Sequence, residues 1–291
     1  MRQKEQEQYL IQIIHQIRKE HPRMNCRDMY FKIKPDGLGR DAFELLCKEL
    51  GFNIESRINY RRTTNSAGVI RFDNLRKDLK IIHLNQIWSS DITYLEWQDR
   101  FYYITFIIDL FSRRIVGYSF SSNLTTEATT LPALRSAIKL RKGMDLTGLI
   151  LHSDGGGQYY DKNFLALTRK HKMRNSMCEW PWDNGTAERL NGVIKNNYLK
   201  PWNAQTESEM YQNVDRAAFN YNHDKPHREL KRMSPVEFEN WWLNSQLQTR
   251  PKMTESFDAK SEIFGASNPE NTLQTRPQNP DVFSSKSEWI S

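Results

Sequence analysis

Cysteine is scarce in this chain of 291 residues, with only Cys26, Cys47 and Cys178. Three scattered thiols are too few for a disulfide framework or a cysteine-rich zinc module. His15, His21, Cys26 and Cys47 do not have paired-ligand spacing, which gives no support to a zinc site built from them. Long apolar runs are missing too. The most continuous one, Phe101 to Leu110, is broken by Thr105 and Asp109 and is far too short to cross a bilayer. The first residues, MRQKEQEQYL, show no apolar stretch followed by a small-residue cleavage site. No internal repeat or low-complexity tract is evident. Together these absences predict a soluble protein of the cytoplasm. What is present suffices for a core: 38% of residues are hydrophobic and 12% aromatic, which excludes wholesale disorder. The length suggests about two domains.

Charge is unevenly spread. The whole chain carries 42 Lys+Arg against 35 Asp+Glu, a net +7. Residues 1–80 hold 17 basic and 11 acidic side chains, so +6 of the excess lies there, while residues 81–240 are close to neutral. A basic segment beside a neutral one suggests a phosphate-binding arm on a domain with another task. The alternative is a merely solvated basic surface.

Patterning divides the chain further. Leu10, Ile13, Ile14 and Ile17 fall at helical spacing and predict a helix over about 6–19, stopped by His21-Pro22. Helices over 27–34 and 40–50 follow, around the turn Asp36-Gly37-Leu38-Gly39. Residues 1–55 thus read as a helical, helix-turn-helix-like module, with simple packing or dimerisation as the alternative use. Residues 56–83 form a basic linker whose densest positive spot, Arg61-Arg62, is a candidate phosphate contact or a solvated pair. Strand-like patterning then marks 86–97, 101–110 and 115–120, with turns at Asp99-Arg100 and Ser112-Arg113. A helix over 125–142, a short strand at 149–152, and a helix capped by Asp161 come next. Further helices are expected over 183–199, ending before Pro201, and over 206–222 and 234–245. Three strands, a helix, a strand and a helix make the opening order of a ribonuclease-H-like α/β domain, here 84–240. Residues 241–291 complete the last helix and continue as a polar, Pro/Asn/Ser-rich tail.

Three acidic residues stand out within that domain. Asp91 lies inside the strand-like run WSSDITY; Asp154 directly follows a strand, in HSDGGGQY; Glu188 lies in the helical run DNGTAERLN. Singly, Asp154 has a turn reading and Glu188 a surface-helix reading. As a set, two strand-associated aspartates and a helical glutamate suit two hard cations. Clustered carboxylates repel one another, and two divalent ions ~3.5–4 Å apart relieve this while clamping a phosphate. Gly155, Gly156 and Gly157 leave room beside Asp154 for a close backbone approach. Lys195 stands two helical turns after Glu188, on the same face as Asn191 and Gly192. That exposed stripe suits a phosphate grip by Lys195, or simply carries a solvated lysine.

These motifs, with Ile108-Asp109-Leu110-Phe111-Ser112-Arg113, Ser176-Met177, Tyr221-Asn222, Pro226-His227 and Ser234-Pro235, give residues 84–240 a family resemblance. The segment resembles the DDE integrase core of bacterial insertion-sequence transposases of the second-frame (OrfB) type, which share that core with retroviral integrases. The resemblance implies that Asp91, Asp154 and Glu188 are catalytic and hold two divalent cations, Mg²⁺ or Mn²⁺. It also matches Lys195 to a DNA-contacting basic residue and Asp109 to a recurrent acidic position without a catalytic role. It implies a DDE transposase that cleaves and joins DNA strands at element ends, acting as a homodimer or larger assembly, with a possible upstream-frame partner protein. Bacterial cytoplasm, at the nucleoid when DNA-bound, is the implied location. The interval between Asp154 and Glu188, 33 residues, is slightly shorter than the family's usual one and makes Glu179 a rival position. A nuclease of the same fold without strand transfer, and a non-catalytic DNA-binding derivative, are the competing readings.

Overall fold

Residues 87–121 are dense in β-branched and aromatic side chains and fold as the antiparallel meander such a composition favours. β1 (Ile87–Trp97), β2 (Arg100–Asp109) and β3 (Ile115–Ser121) pair in order in the computed structural model, which describes residues 2–54 and 72–245. The first turn sits one residue earlier than the sequence suggests. Trp97 pairs with Arg100, leaving Gln98 and Asp99 at φ of 49° and 55°, the left-handed pair of a type I′ hairpin.

β4 (Ile150–Ser153) runs parallel to β1, and β5 (Arg174–Met177) parallel to β4, so the sheet order is β3-β2-β1-β4-β5. This mixed sheet with helices on both faces is a ribonuclease-H-like arrangement. β5 is absent from the sequence reading because Arg-Asn-Ser-Met is too short and polar to show strand periodicity.

β2 explains the longest apolar run. Ile104, Phe106 and Ile108 join the core on one face, beneath α6 (Gly185–Ile194) and α8 (Glu207–His223). Ile107, between them, joins the opposite core beneath α4 (Thr130–Leu140) and α5 (Lys162–Lys170). A strand buried on both faces loses polar alternation, and each such Ile or Phe contributes about 1.5–3 kcal/mol by leaving water. At Gly117 a Cβ would stand 2.2 Å from the Ala133 carbonyl oxygen, so only glycine lets α4 lie this close to β3.

Two helix ends depart from expectation. α4 begins at Thr130 rather than near Thr125, because Thr129 Oγ1 donates to the Thr125 carbonyl at 2.6 Å while Ser119 Oγ donates to the Thr129 carbonyl. Such side-chain bonds hold residues 125–129 in turns. Pro201 does not end the next helix. Lys195–Leu199 take π-helical geometry, the Lys200 N–H reaches the Lys195 carbonyl, and the proline enters a final turn, α7 (Lys200–Trp202). α9 (Pro235–Asn244) starts at a Ser234–Glu237 capping box, as its sequence indicates.

Upstream, α1 (Arg2–Glu20), α2 (Cys26–Ile33) and α3 (Arg40–Glu49) enclose a cluster of Ile14, Ile17, Met29, Phe43 and Cys47. All three cysteines are buried and free. The helical module is fastened to the sheet domain by a polar seam. Buried His21 meets Asp224 Oδ2 at 2.7 Å and Tyr198 Oη at 2.9 Å, and Lys32 also pairs with Asp224. Arg232 pairs with Asp28 at 2.8 Å, Arg216 with Glu20 at 2.6 Å, and Trp202 Nε1 donates to the Lys19 carbonyl. In these pairs Lys32 is the N-terminal cation, whereas Arg216 and Arg232 come from the sheet domain and meet the N-terminal acids Glu20 and Asp28. Arg61, Arg62 and the polar tail lie outside the described residues. No helix among the described residues is long and apolar enough to cross a membrane.

Candidate active site

The parallel pairing of β1 with β4 sets the site. Ser90 is the register partner of Ser153, so the next residues along, Asp91 and Asp154, emerge side by side at adjacent strands. Asp154 leaves β4 through Gly155, whose φ is 82° and whose added Cβ would lie 2.3 Å from Met177 Cε. Gly155 alone of the three glycines needs to be glycine: Gly157 has open space, and a Cβ on Gly156 would press only on the flexible Gln158 side chain, at 3.2 Å, with Asp154 Oδ1 and Tyr159 at ordinary contact distances of 3.5 and 3.8 Å. Gly156 N–H donates to Asp154 Oδ1 at 3.1 Å and fixes that carboxylate.

Glu188 stands in the first turn of α6, which crosses beside β1. The helix is held there by Asn184, whose Nδ2 donates to the Ser90 carbonyl at 3.0 Å and whose Oδ1 accepts from Ser89 Oγ. Asp91 is half-buried and faces both other acids. Burial first, then the charges of Asp154 and Glu188, push its carboxyl up to about 8. Asp154 and Glu188 keep solvent contact, yet the surrounding protein raises both, and Asp154 adds to the rise at Glu188. The three acids therefore share one negative field. Among the described residues, however, no three His, Cys, Asp or Glu side chains stand close enough together to form a metal site as arranged.

The rival Glu179 is turned elsewhere, with Lys77 Nζ 3.9 Å from it. Asn191 does not belong to an exposed stripe: it is 4% exposed, and its Nδ2 donates to Asp91 Oδ2 at 2.6 Å. Such a bond contributes about 0.5–1.5 kcal/mol to the protonated acid and about 1.5–3 kcal/mol once the carboxylate is ionised, and in either state it orients the acid. Asn191 Oδ1 is buried without a hydrogen-bond partner. Lys195 also departs from the expected outward reach. Its Nζ donates to Thr93 Oγ1 at 2.6 Å and to the Tyr94 carbonyl at 3.2 Å, and burial lowers its proton affinity. The helix turns into the sheet at these positions, and β1 offers oxygen acceptors that solvent would otherwise replace.

Asp109 is structural: it is fully buried and accepts from the N–H groups of Asn85, Phe111 and Ser112, closing the turn after β2. Tyr159 is buried against Ser90 at 2.9 Å, and Tyr160 Oη donates to Met177 Sδ, so neither stands ready as a nucleophile. Sequence reasoning gave no role to three supporting residues. Asn184 pins α6 to β1, and Asp183 gathers N–H groups of Glu179 and Trp180 together with Asn74 Nδ2. His152, between Ser176 and Cys178, ties β4 to β5; burial holds it down at about 4, hence neutral near pH 7. The Asp183-Asn184 pair was the visible signal for two of them.

Comparison with known proteins agrees with this architecture. Two models of the integrase core domain match, over residues 83–180 and 170–235. A putative transposase for insertion sequence element IS986/IS6110 from Mycobacterium tuberculosis is 28% identical over 226 residues, 74% of this chain and 80% of that one. A 31 kDa protein of insertion element IS600 from Shigella sonnei is 29% identical over 69% of this chain and 75% of its own length. Transposase InsF of IS3A from Escherichia coli is 30% identical, covering 57% and 58%. Among solved structures, the HTLV-2 integrase catalytic core with magnesium is 21% identical, covering 53% of this chain and 95% of that one, at a TM-score of 0.44. The chain belongs to the integrase-core family of insertion-sequence transposases.

Proposed function

We propose that this protein is a DDE transposase that cleaves and joins DNA strands at the ends of an insertion sequence, with Asp91, Asp154 and Glu188 as its catalytic acids. The observation that carries the reading is the shared field of these acids, raised together, with the Asn191 amide bonded to Asp91 and Lys195, tied to Thr93, as the cation that feels the Asp91 charge. An all-oxygen donor set of this charge suits hard divalent cations, and the unpartnered Asn191 Oδ1 adds an acceptor beside it. Two bound Mg²⁺ or Mn²⁺ ions would supply Lewis acidity to the scissile phosphate and to the attacking oxygen.

The chain's own residues supply position. Asn191 holds Asp91, the Gly156 N–H holds Asp154, and Asn184 sets the start of the helix bearing Glu188. In the first reaction, water attacks a phosphodiester in line and the strand is released as a free 3′-hydroxyl. In the second, that hydroxyl attacks another phosphodiester, forming one P–O bond as another breaks, so no protein–DNA covalent link is needed. Buried Tyr159, and Tyr160 with its hydroxyl bonded to Met177 Sδ, agree with this. Bringing two ends together calls for a homodimer or larger assembly, in the bacterial cytoplasm where its DNA lies. Residues 1–55 and the linker 56–83, with Arg61 and Arg62, are assigned to holding DNA, 84–240 to catalysis, and 241–291 to the last helix and tail. Lys195 is assigned to phosphate contact after release from Thr93, and an upstream-frame protein to end recognition.

The test is strand transfer on terminal-repeat DNA with Mg²⁺ or Mn²⁺. Joined products are expected from the wild type and should vanish in Asp154→Ala. Cleavage without joining would instead make the protein a nuclease, and DNA binding without metal-dependent chemistry would make it a non-catalytic derivative.

A further inference from the structure

The loop between β5 and α6 carries two tryptophans that the fold does not use for packing. Trp180 is 56% exposed and Trp182 68% exposed, although tryptophan ordinarily buries most of its surface. Their rings lie parallel, 4° apart in plane with centroids at 5.2 Å, so each rigidifies the other. The loop is anchored at both ends beside the catalytic acids. The Cys178 N–H donates to the carbonyl of Ser153, the residue before Asp154. The Asn184 side chain donates to the carbonyl of Ser90, the residue before Asp91. Between these anchors, Asp183 Oδ2 accepts the N–H groups of Glu179 and Trp180, each at 3.0 Å, and Asn74 Nδ2 at 2.9 Å. A loop fixed by so many bonds, yet holding two large apolar faces in water, is built to present those faces.

We infer that Trp180 and Trp182 form a stacking platform for an unpaired base of the DNA end, next to the phosphate being cut or joined. The pair is too close to admit a base between its rings, so the base lies on an outer face. Nucleobases suit this surface because every base has a π-face and stacks without sequence demands. The proximity to both acids favours an end base over a second copy of the chain, since a protein partner seated there would obstruct the approach of DNA. The inference rests on the transposase reading, and its test separates the two.

Binding is measured with the full chain in EDTA, using a duplex with three unpaired terminal nucleotides, one of them 2-aminopurine, against the same duplex fully paired. The wild type is expected to prefer the unpaired end and to quench its fluorescence. Trp180→Ala/Trp182→Ala should bind that end about tenfold more weakly, the loss of roughly one base–aromatic stack, and should bind the paired duplex as before. Trp182→Phe should retain most of the preference, which a general folding defect would not allow. An unchanged preference in the double variant would overturn the proposal, as would loss of self-association with unpaired-end binding intact. Asp154→Ala should keep the preference. If it does while the wild type shows no metal-dependent chemistry, stacking stands and the transposase reading falls. If chemistry is present and the tryptophans make no difference, stacking alone falls.

Discussion

The acids of the candidate site and the acids of the structural seams are the same side chains in opposite surroundings. Asp91, Asp154 and Glu188 face one another across β1, β4 and α6, and each is pushed up. Asp224 sits between His21 and Lys32, whose hydrogen bonds pull it down to about 2. Glu239, buried in α9, faces Arg141 and Arg114 and is lowered despite its burial. The contrast teaches how to separate structure from function in a charged protein. An acid matched with cations by the fold is doing a structural job. Acids gathered with one another and an amide, and with no direct ion pair among the described residues, are destabilising as they stand, and their placement makes sense when a divalent ligand joins them.

The largest way to break the comparison is at the matched end. Glu239→Ala leaves Arg141, 2% exposed, buried without its partner, and should cost about 3–5 kcal/mol in urea unfolding. Replacing Glu239 and Arg141 together by leucine should recover much of that loss, because the expensive state is the lone buried charge. The opposite behaviour is expected at the site. In EDTA the folded chain keeps a proton on Asp91 up to about pH 8, whereas the unfolded chain releases it near 3.8. Stability through Asp91 therefore falls as pH rises between these values and levels off above them. Urea midpoints across that range should show the fall, Asp91→Asn should flatten it, and added Mg²⁺ should raise the midpoint of the wild type only.

Asp224 gives the mirror image at smaller scale. Its contribution is present above the unfolded value of 3.8 and is lost as pH falls toward about 2. Asp224→Asn should loosen the helical module, seen as faster hydrogen exchange in α1–α3. Screening at a carboxylate 38% exposed keeps the stability loss to about 1 kcal/mol. The smallest effect is expected at Glu179. Glu179→Gln should change stability by less than about 0.5 kcal/mol and leave strand transfer intact, whereas Glu188→Gln should abolish it.

Much of this was legible before any coordinates. β1 to β3, α1 to α3, the Asp161 cap and the three candidate acids show in patterning, because strand alternation, helix periodicity and cap chemistry are local. β5 was not legible, since four polar-leaning residues become a strand only when β4 offers an edge. The starts and stops of α4 and α6 were displaced by threonine side-chain bonds and by a π-helical turn, which depend on neighbours. Asn191 and Lys195 read as an outward stripe because helical spacing says which residues share a face, not which face meets the sheet.

The sequence by itself determined the order of most elements, the apolar faces and the uneven charge, and it singled out the three acids as candidates, all of which follow from residue type and spacing. Only the tertiary structure decided that Ser90 pairs with Ser153, which sets Asp91 beside Asp154. It alone decided that Asn191 serves Asp91, that Lys195 rests on β1, and that two tryptophans stand in water at the edge of the site. Those outcomes depend on register and packing between segments up to about a hundred residues apart, and no local pattern encodes them.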